Sequence, residues 1–180
     1  MREARSSVGS FYHLWETKEA IVPLLYARYD ERITRISERI FEPERWRGKD
    51  LQHRVGRLIR YAVRKYRQNR GLIRALAMHA RSHSQELTTL QLSRRATLYD
   101  RATQLLLACR AEVQHANPEA AIRLGLFFVG AACRDKILFD RAPHPRSIDC
   151  DDRQLASELS IAFLAYLESS NRNRKVHHDA

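Results

Sequence analysis

Breakers of regular structure are scarce in this 180-residue chain, which holds six glycines and five prolines. No stretch alternates apolar and polar residues for long enough to make a strand, so the chain reads as helix throughout. Cysteine is scarcer still. Cys109, Cys133 and Cys150 make an odd count with no paired spacing, which argues against a disulfide framework and points to reduced thiols in a cytoplasmic protein. Long apolar runs are missing. The longest uncharged one, Leu124 to Cys133, lies between Arg123 and Arg134 and is too short to cross a bilayer. The N-terminus has no apolar stretch ending in small residues, so no signal peptide is expected. Neither a glycine-rich phosphate loop, a nucleophile elbow, paired catalytic carboxylates nor a zinc-ligand run occurs. The expectation is a protein with no enzymatic activity, no cofactor and no metal. His79 and His83 have a metal-compatible spacing of four, but Arg81 lies between them and no carboxylate or cysteine completes a set.

One sign of charge is in excess. The chain carries 32 Lys and Arg against 21 Asp and Glu, a net charge of +11. All of it lies in residues 1–95, with 21 basic and 10 acidic side chains; residues 96–180 hold 11 of each. Such a half suits a polyanionic partner. Arginine supplies 27 of the 32 bases, a bias that the base composition of coding DNA also produces. On the helices, Arg28, Arg32, Arg35 and Arg39 form one basic stripe, and Arg54, Arg57, Arg60, Arg64 and Arg67 another that faces away from the core.

The helices can be placed from their caps and apolar periods. Ser7 caps a short helix over 7–14, and Thr17 opens a second that runs to residue 41. Ile21, Leu24, Leu25, Ile33, Ile36 and Ile40 are expected on the inner side of that second helix, with Pro23 kinking it. After a loop, Asp50 caps a helix to Asn69, and Gly71 is expected to end it before a shorter helix over 72–82. A long helix covers 85–115. Asn117-Pro118-Glu119 is a stop-and-start signal for a helix to Phe139 that is apolar nearly all round. Asp151 or Asp152 caps the last helix, which should bury Leu155, Leu159, Ala162, Phe163, Tyr166 and Leu167.

The string Ser7-Val8-Gly9-Ser10-Phe11-Tyr12-His13-Leu14-Trp15-Glu16-Thr17-Lys18-Glu19-Ala20 carries the most information. Phe11, Leu14 and Trp15, at spacings of three and four, make an apolar side that docks on other helices. Gly9 and Ser10 are small enough for close approach to DNA, and Lys18 in the first turn after Thr17 sits where a phosphate meets free amides. The string resembles the end of the DNA-binding module of the tetracycline-repressor (TetR) family of bacterial transcriptional regulators. There a Ser-x-Gly-Ser/Thr-Phe/Leu-Tyr recognition helix runs to an aromatic residue and a Ser/Thr-Lys-Glu-Ala helix start. Arg5 and Ser6 depart from that pattern, standing where the family has a turn glycine and a small apolar residue.

The resemblance implies an all-α fold in which residues 1–41 are part of a helix-turn-helix module, with a recognition helix at 7–14 and a linking helix at 17–41. Residues 51–168 would be an all-helical regulatory and dimerisation domain, and 169–180 a polar tail. It implies that double-stranded operator DNA is the partner. Tyr12 and Lys18 would meet phosphates, Val8, Ser10 and His13 would lie near base edges, and the cap residues Ser7 and Thr17 complete the DNA-binding set. A small-molecule effector would enter a pocket in the second domain, for which Trp46, Tyr61, Met78, His79, Tyr99, Phe127 and Phe128 are candidates. A homodimer would form through the last two long helices, with Phe128, Leu159, Phe163 and Tyr166 at the interface. Family members carry two more helices before the recognition helix, so in-frame codons for an amphipathic stretch are expected upstream of Met1. The alternative is a helical interaction module that dimerises and does not bind DNA.

Overall fold

Three helices begin by the same device. The Asp50 side chain accepts from the His53 amide at 2.7 Å, Asn117 from Ala120 at 3.1 Å and Asp151 from Gln154 at 2.8 Å, each satisfying a first-turn amide that has no intrahelical partner. At the last of these, Gln154 Oε1 also accepts from the Asp151 amide at 3.0 Å, closing a capping box. The computed structural model describes residues 21–82, 85–140 and 149–169. It contains α1 (Val22–Ile40), α2 (Leu51–Gln68), α3 (Arg70–Ser82), α4 (Gln85–Leu107), α5 (Pro118–Cys133) and α6 (Asp152–Glu168), with no strand among the described residues. The protein is all-helical. Ser7, Val8, Ser10, Tyr12, His13, Thr17 and Lys18 lie outside the described residues.

The main core forms where α2, α4, α5 and α6 meet. Ile59, Leu106, Ile122, Leu138 and Leu167 are fully buried there. Each such side chain is worth about 1.5–3 kcal/mol, whereas a half-exposed ion pair is worth about 0–1 kcal/mol. The core therefore holds the helices together, and the bidentate Arg67–Asp152 pair (2.6 Å) between α2 and α6 adds alignment. Arg123 does the same between α4 and α5, reaching Asp100 at 2.9 Å and Glu119 at 3.1 Å. Trp46 pins the end of α1 to this body: it is 3% exposed, and its indole nitrogen donates to the Ile40 carbonyl at 2.6 Å.

Several local expectations change. Pro23 does not kink a helix interior; as described, the helix starts at Val22, which puts Pro23 in the first turn, where its missing N–H has no intrahelical acceptor to lose. On α1 the buried positions are Tyr26, Ile33 and Ser37, while Leu24, Leu25 and Ile36 face outward. Asn69, not Gly71, marks the break between α2 and α3: its amide group donates to the Lys65 carbonyl at 2.8 Å and its side-chain oxygen accepts from Arg32. Gly71 lies inside α3. α4 ends at Leu107, well short of residue 115, and a 3₁₀ turn at Arg110–Glu112 follows. Arg54 turns inward and donates to the carbonyls of Lys49, Leu105 and Trp46 at 2.8, 2.7 and 2.9 Å, so it is not part of a solvated stripe. Ala162 is exposed.

Candidate functional site: a tyrosine-lined chamber

A second, smaller cluster stands apart from the main core. Tyr26 of α1 buries against Leu76 of α3, flanked by Tyr29 and Leu72. Between the two clusters lies a chamber of about 420 Å³, within the roughly 300–1,000 Å³ typical of small-ligand sites. α1 and α3 close one side of it, and α2, α4, α5 and α6 form the other. Five of the seven tyrosines in the chain border it: Tyr26, Tyr29, Tyr61, Tyr66 and Tyr99. That concentration makes the wall aromatic with a polar rim of hydroxyls.

Local structure sets these side chains in place. At Gly130 on α5 a Cβ would collide with the Tyr99 hydroxyl, so only glycine lets that phenol reach inward from α4. The end of α5 widens into a π-helical turn over Arg134–Phe139, with the Asp140 amide donating to the Asp135 carbonyl at 3.0 Å. Such turns shift the register of the side chains that follow. Here the turn presents Arg134, Leu138 and Phe139 to the chamber.

The chamber is apolar in area and cationic in charge. Lys65, Arg94, Arg95 and Arg134 border it, against the single carboxylate of Asp30. Asp30 is engaged by Arg94 at 3.1 Å. Arg95 lies over the Tyr99 ring at 5.4 Å and donates to its hydroxyl at 3.4 Å. No described carboxylate pairs with Lys65 or Arg134. Burial pushes the Lys65 ammonium down to about 8, with neighbouring Arg95 acting in the same direction. Burial also raises Tyr26, Tyr29, Tyr61 and Tyr66, so their phenols stay neutral. The Tyr61 hydroxyl is buried without a hydrogen-bond partner. The arrangement suits a compact apolar ligand with one acidic group.

Of the residues expected to line a pocket, Tyr61 and Tyr99 do so. Met78, Phe127 and Phe128 do not: all three side chains are exposed, and Phe128 packs edge-on against Tyr166 with ring centroids 6.5 Å apart. Trp46 borders a different hollow. The side chain of His79 and all of His83 lie outside the described residues. Phe163 is a correction of another kind. It is 4% exposed and sits against Gly125, where any Cβ would strike its ring, so it belongs to the core of one chain and not to an outer face. Leu159 and Tyr166 are half-buried. The residues missed from sequence are Tyr26, Tyr29, Tyr66, Lys65 and Arg95. A spacing of three puts Tyr26 and Tyr29 on one face of α1, while Tyr61 and Tyr66, five apart, stand on two flanks of α2 that both border the chamber. That inward pairing was the available signal.

Among the described residues no helix is long and apolar enough to cross a membrane, and no three metal-ligating side chains converge. Compared with protein-family models, with curated proteins and with solved structures, the chain matches none.

Proposed function

We propose that this protein is a ligand-responsive regulator of the tetracycline-repressor type that binds operator DNA as a homodimer. The observation that carries the reading is the double duty of α1. It follows directly on the segment that resembles a recognition helix, and it also supplies Tyr26, Tyr29, Asp30 and Ile33 to the chamber wall. It is held at its start by the Tyr26–Leu76 cluster, along its length by the polar contacts Asp30–Arg94 and Arg32–Asn69, and near its end by Trp46. A ligand filling the chamber presses on α1 and shifts what is attached to it. Differential affinity of the ligand for two α1 positions is then the coupling free energy. The exposed ridge of Leu124, Phe127 and Phe128 on α5 supplies the apolar surface a dimer needs. The effector is an organic acid with an apolar, ring-bearing body, and no catalytic step is involved.

The test is selection from a random duplex pool, made with the 180-residue chain and with a chain extended by any in-frame residues coded upstream. The extended chain is expected to retain one preferred sequence, and the 180-residue chain to bind weakly with little preference. Lys18→Ala should weaken every duplex alike and lower the salt slope by about one. His13→Ala should change preference at one or two base pairs, at about 1–3 kcal/mol each. If neither chain prefers any sequence, DNA recognition is refuted and the dimerising interaction module takes its place.

A further inference from the structure

Between α1 and α2 a second hollow, of about 680 Å³, backs onto the chamber. Ile33, Tyr61 and Lys65 border both. Its two sides differ in chemistry. α1 contributes Ile33, Ile36 and Ile40; α2 contributes Arg57, Arg60, Arg64 and Lys65, and Arg32 and Arg45 complete the rim. Among the described residues no Asp or Glu borders this hollow. Local neutralisation is slight. Arg45 pairs with Glu42 at 3.1 Å, Arg32 donates to Asn69, and Arg57 lies over the Trp46 ring at 5.1 Å. Arg60, Arg64 and Lys65 have no acidic partner among the described residues. Six cations around one concavity repel each other and focus a positive potential into it.

An independent observation points the same way. Two buried side-chain atoms among the described residues lack any hydrogen-bond partner, His53 Nε2 and the Tyr61 hydroxyl, and both residues border this hollow. Buried polar atoms are nearly always paired, so two orphans on the wall of one cationic cleft suggest an absent acceptor.

We propose that the α1–α2 hollow binds a nucleoside polyphosphate. The phosphates lie along Arg57, Arg60 and Arg64, whose planar guanidiniums grip phosphate oxygens two at a time. Tyr61 and the Nε2-protonated tautomer of His53, about 12 Å apart along α2, donate to oxygens at opposite ends of the row of phosphates, and the base rests on the isoleucines of α1. Duplex DNA carries the same phosphate chemistry, but its rod-like backbone meets protruding side chains and cannot bring phosphates to buried atoms on the wall of a cleft. This site is independent of the regulatory reading of the chamber.

Calorimetric titration at about 0.15 M salt, where diffuse attraction is screened beyond about 8 Å, decides it, with ATP, inorganic triphosphate and adenosine as probes. ATP is expected to bind once per chain, triphosphate more weakly, and adenosine not measurably. Arg60→Gln with Arg64→Gln should weaken ATP about tenfold or more, the size expected of losing charge-assisted bonds. Tyr61→Phe keeps the ring and should weaken ATP several-fold. Arg101→Gln with Arg110→Gln removes the same charge from exposed positions elsewhere and should leave ATP affinity unchanged. Equal losses in the two double variants would reduce the site to general charge attraction and overturn the proposal. Triphosphate binding as tightly as ATP would overturn the nucleoside assignment. A short duplex that displaces ATP through Arg60 and Arg64 would make the hollow a DNA contact and overturn it too.

Discussion

Lys65 shows how one side chain can trade stability for a site. It borders both hollows: the chamber, whose other charged and phenolic groups are Asp30, Tyr26 and Tyr29 from α1, Tyr61 and Tyr66 from α2, Arg94, Arg95 and Tyr99 from α4, and Arg134, and the α1–α2 hollow with its arginines and His53. Arg95 is the neighbour that acts on its charge. Burial holds its folded-state value at about 8 against an ordinary 10.5. Below pH 8 both folded and unfolded chains carry the charge, and the folded chain bears the full cost of burying it. Between 8 and 10.5 the unfolded chain keeps a proton that the folded chain has shed, so stability from this group rises with pH in that window. The surrounding tyrosines with raised values stay neutral there. Lys65→Met should therefore stabilise the fold at pH 7 by on the order of 1–2 kcal/mol, with the advantage shrinking as pH approaches 10. Urea denaturation of both proteins at pH 7 and 9.5 checks this; an advantage that does not change with pH would assign the gain to packing.

At the scale of the element, α5 carries the tightest constraints. Gly125→Ala would drive a methyl into the buried Phe163 ring, at about 1–3 kcal/mol. Gly71→Ala, with nothing within 4 Å of its Cβ on exposed α3, should instead stabilise by about 0.5–1 kcal/mol. Thermal denaturation of the pair should show opposite shifts; a neutral Gly125→Ala would mean that α5 and α6 separate freely. Helix starts were legible in sequence because a cap is a local event: Asp50, Asn117 and Asp151 each need only the amide three residues on. Most helix ends were legible too, at residue 41, Asn69, Phe139 and Leu167, but the end of α4 was not: it stops at Leu107, where the Arg54 guanidinium claims the Leu105 carbonyl from across the bundle. No window of sequence contains that partner.

For the molecule as a whole, the all-helical class was plain from the lack of breakers, and the chamber was not. Its walls combine all six described helices, and its volume depends on the gap between two packed clusters. The exposed aromatic ridge was likewise half-read. Phe128 on α5 is 53% exposed and suits an interface, whereas Phe163 on α6 is core. Phe128→Glu is thus the variant that separates association from folding. Sedimentation should show a dimer for the natural chain and a monomer for Phe128→Glu, with helical content unchanged. A natural chain that sediments as a monomer at micromolar concentration would remove dimerisation from the reading.

The wall that Ile33, Tyr61 and Lys65 make between the two hollows has a thermodynamic consequence. It contains one buried ammonium that borders an opening on either side. An anion in one hollow draws that charge toward itself and leaves the other poorer by one. Two anionic ligands on this protein would therefore antagonise each other without touching. By reciprocity, each would weaken its neighbour by the same factor.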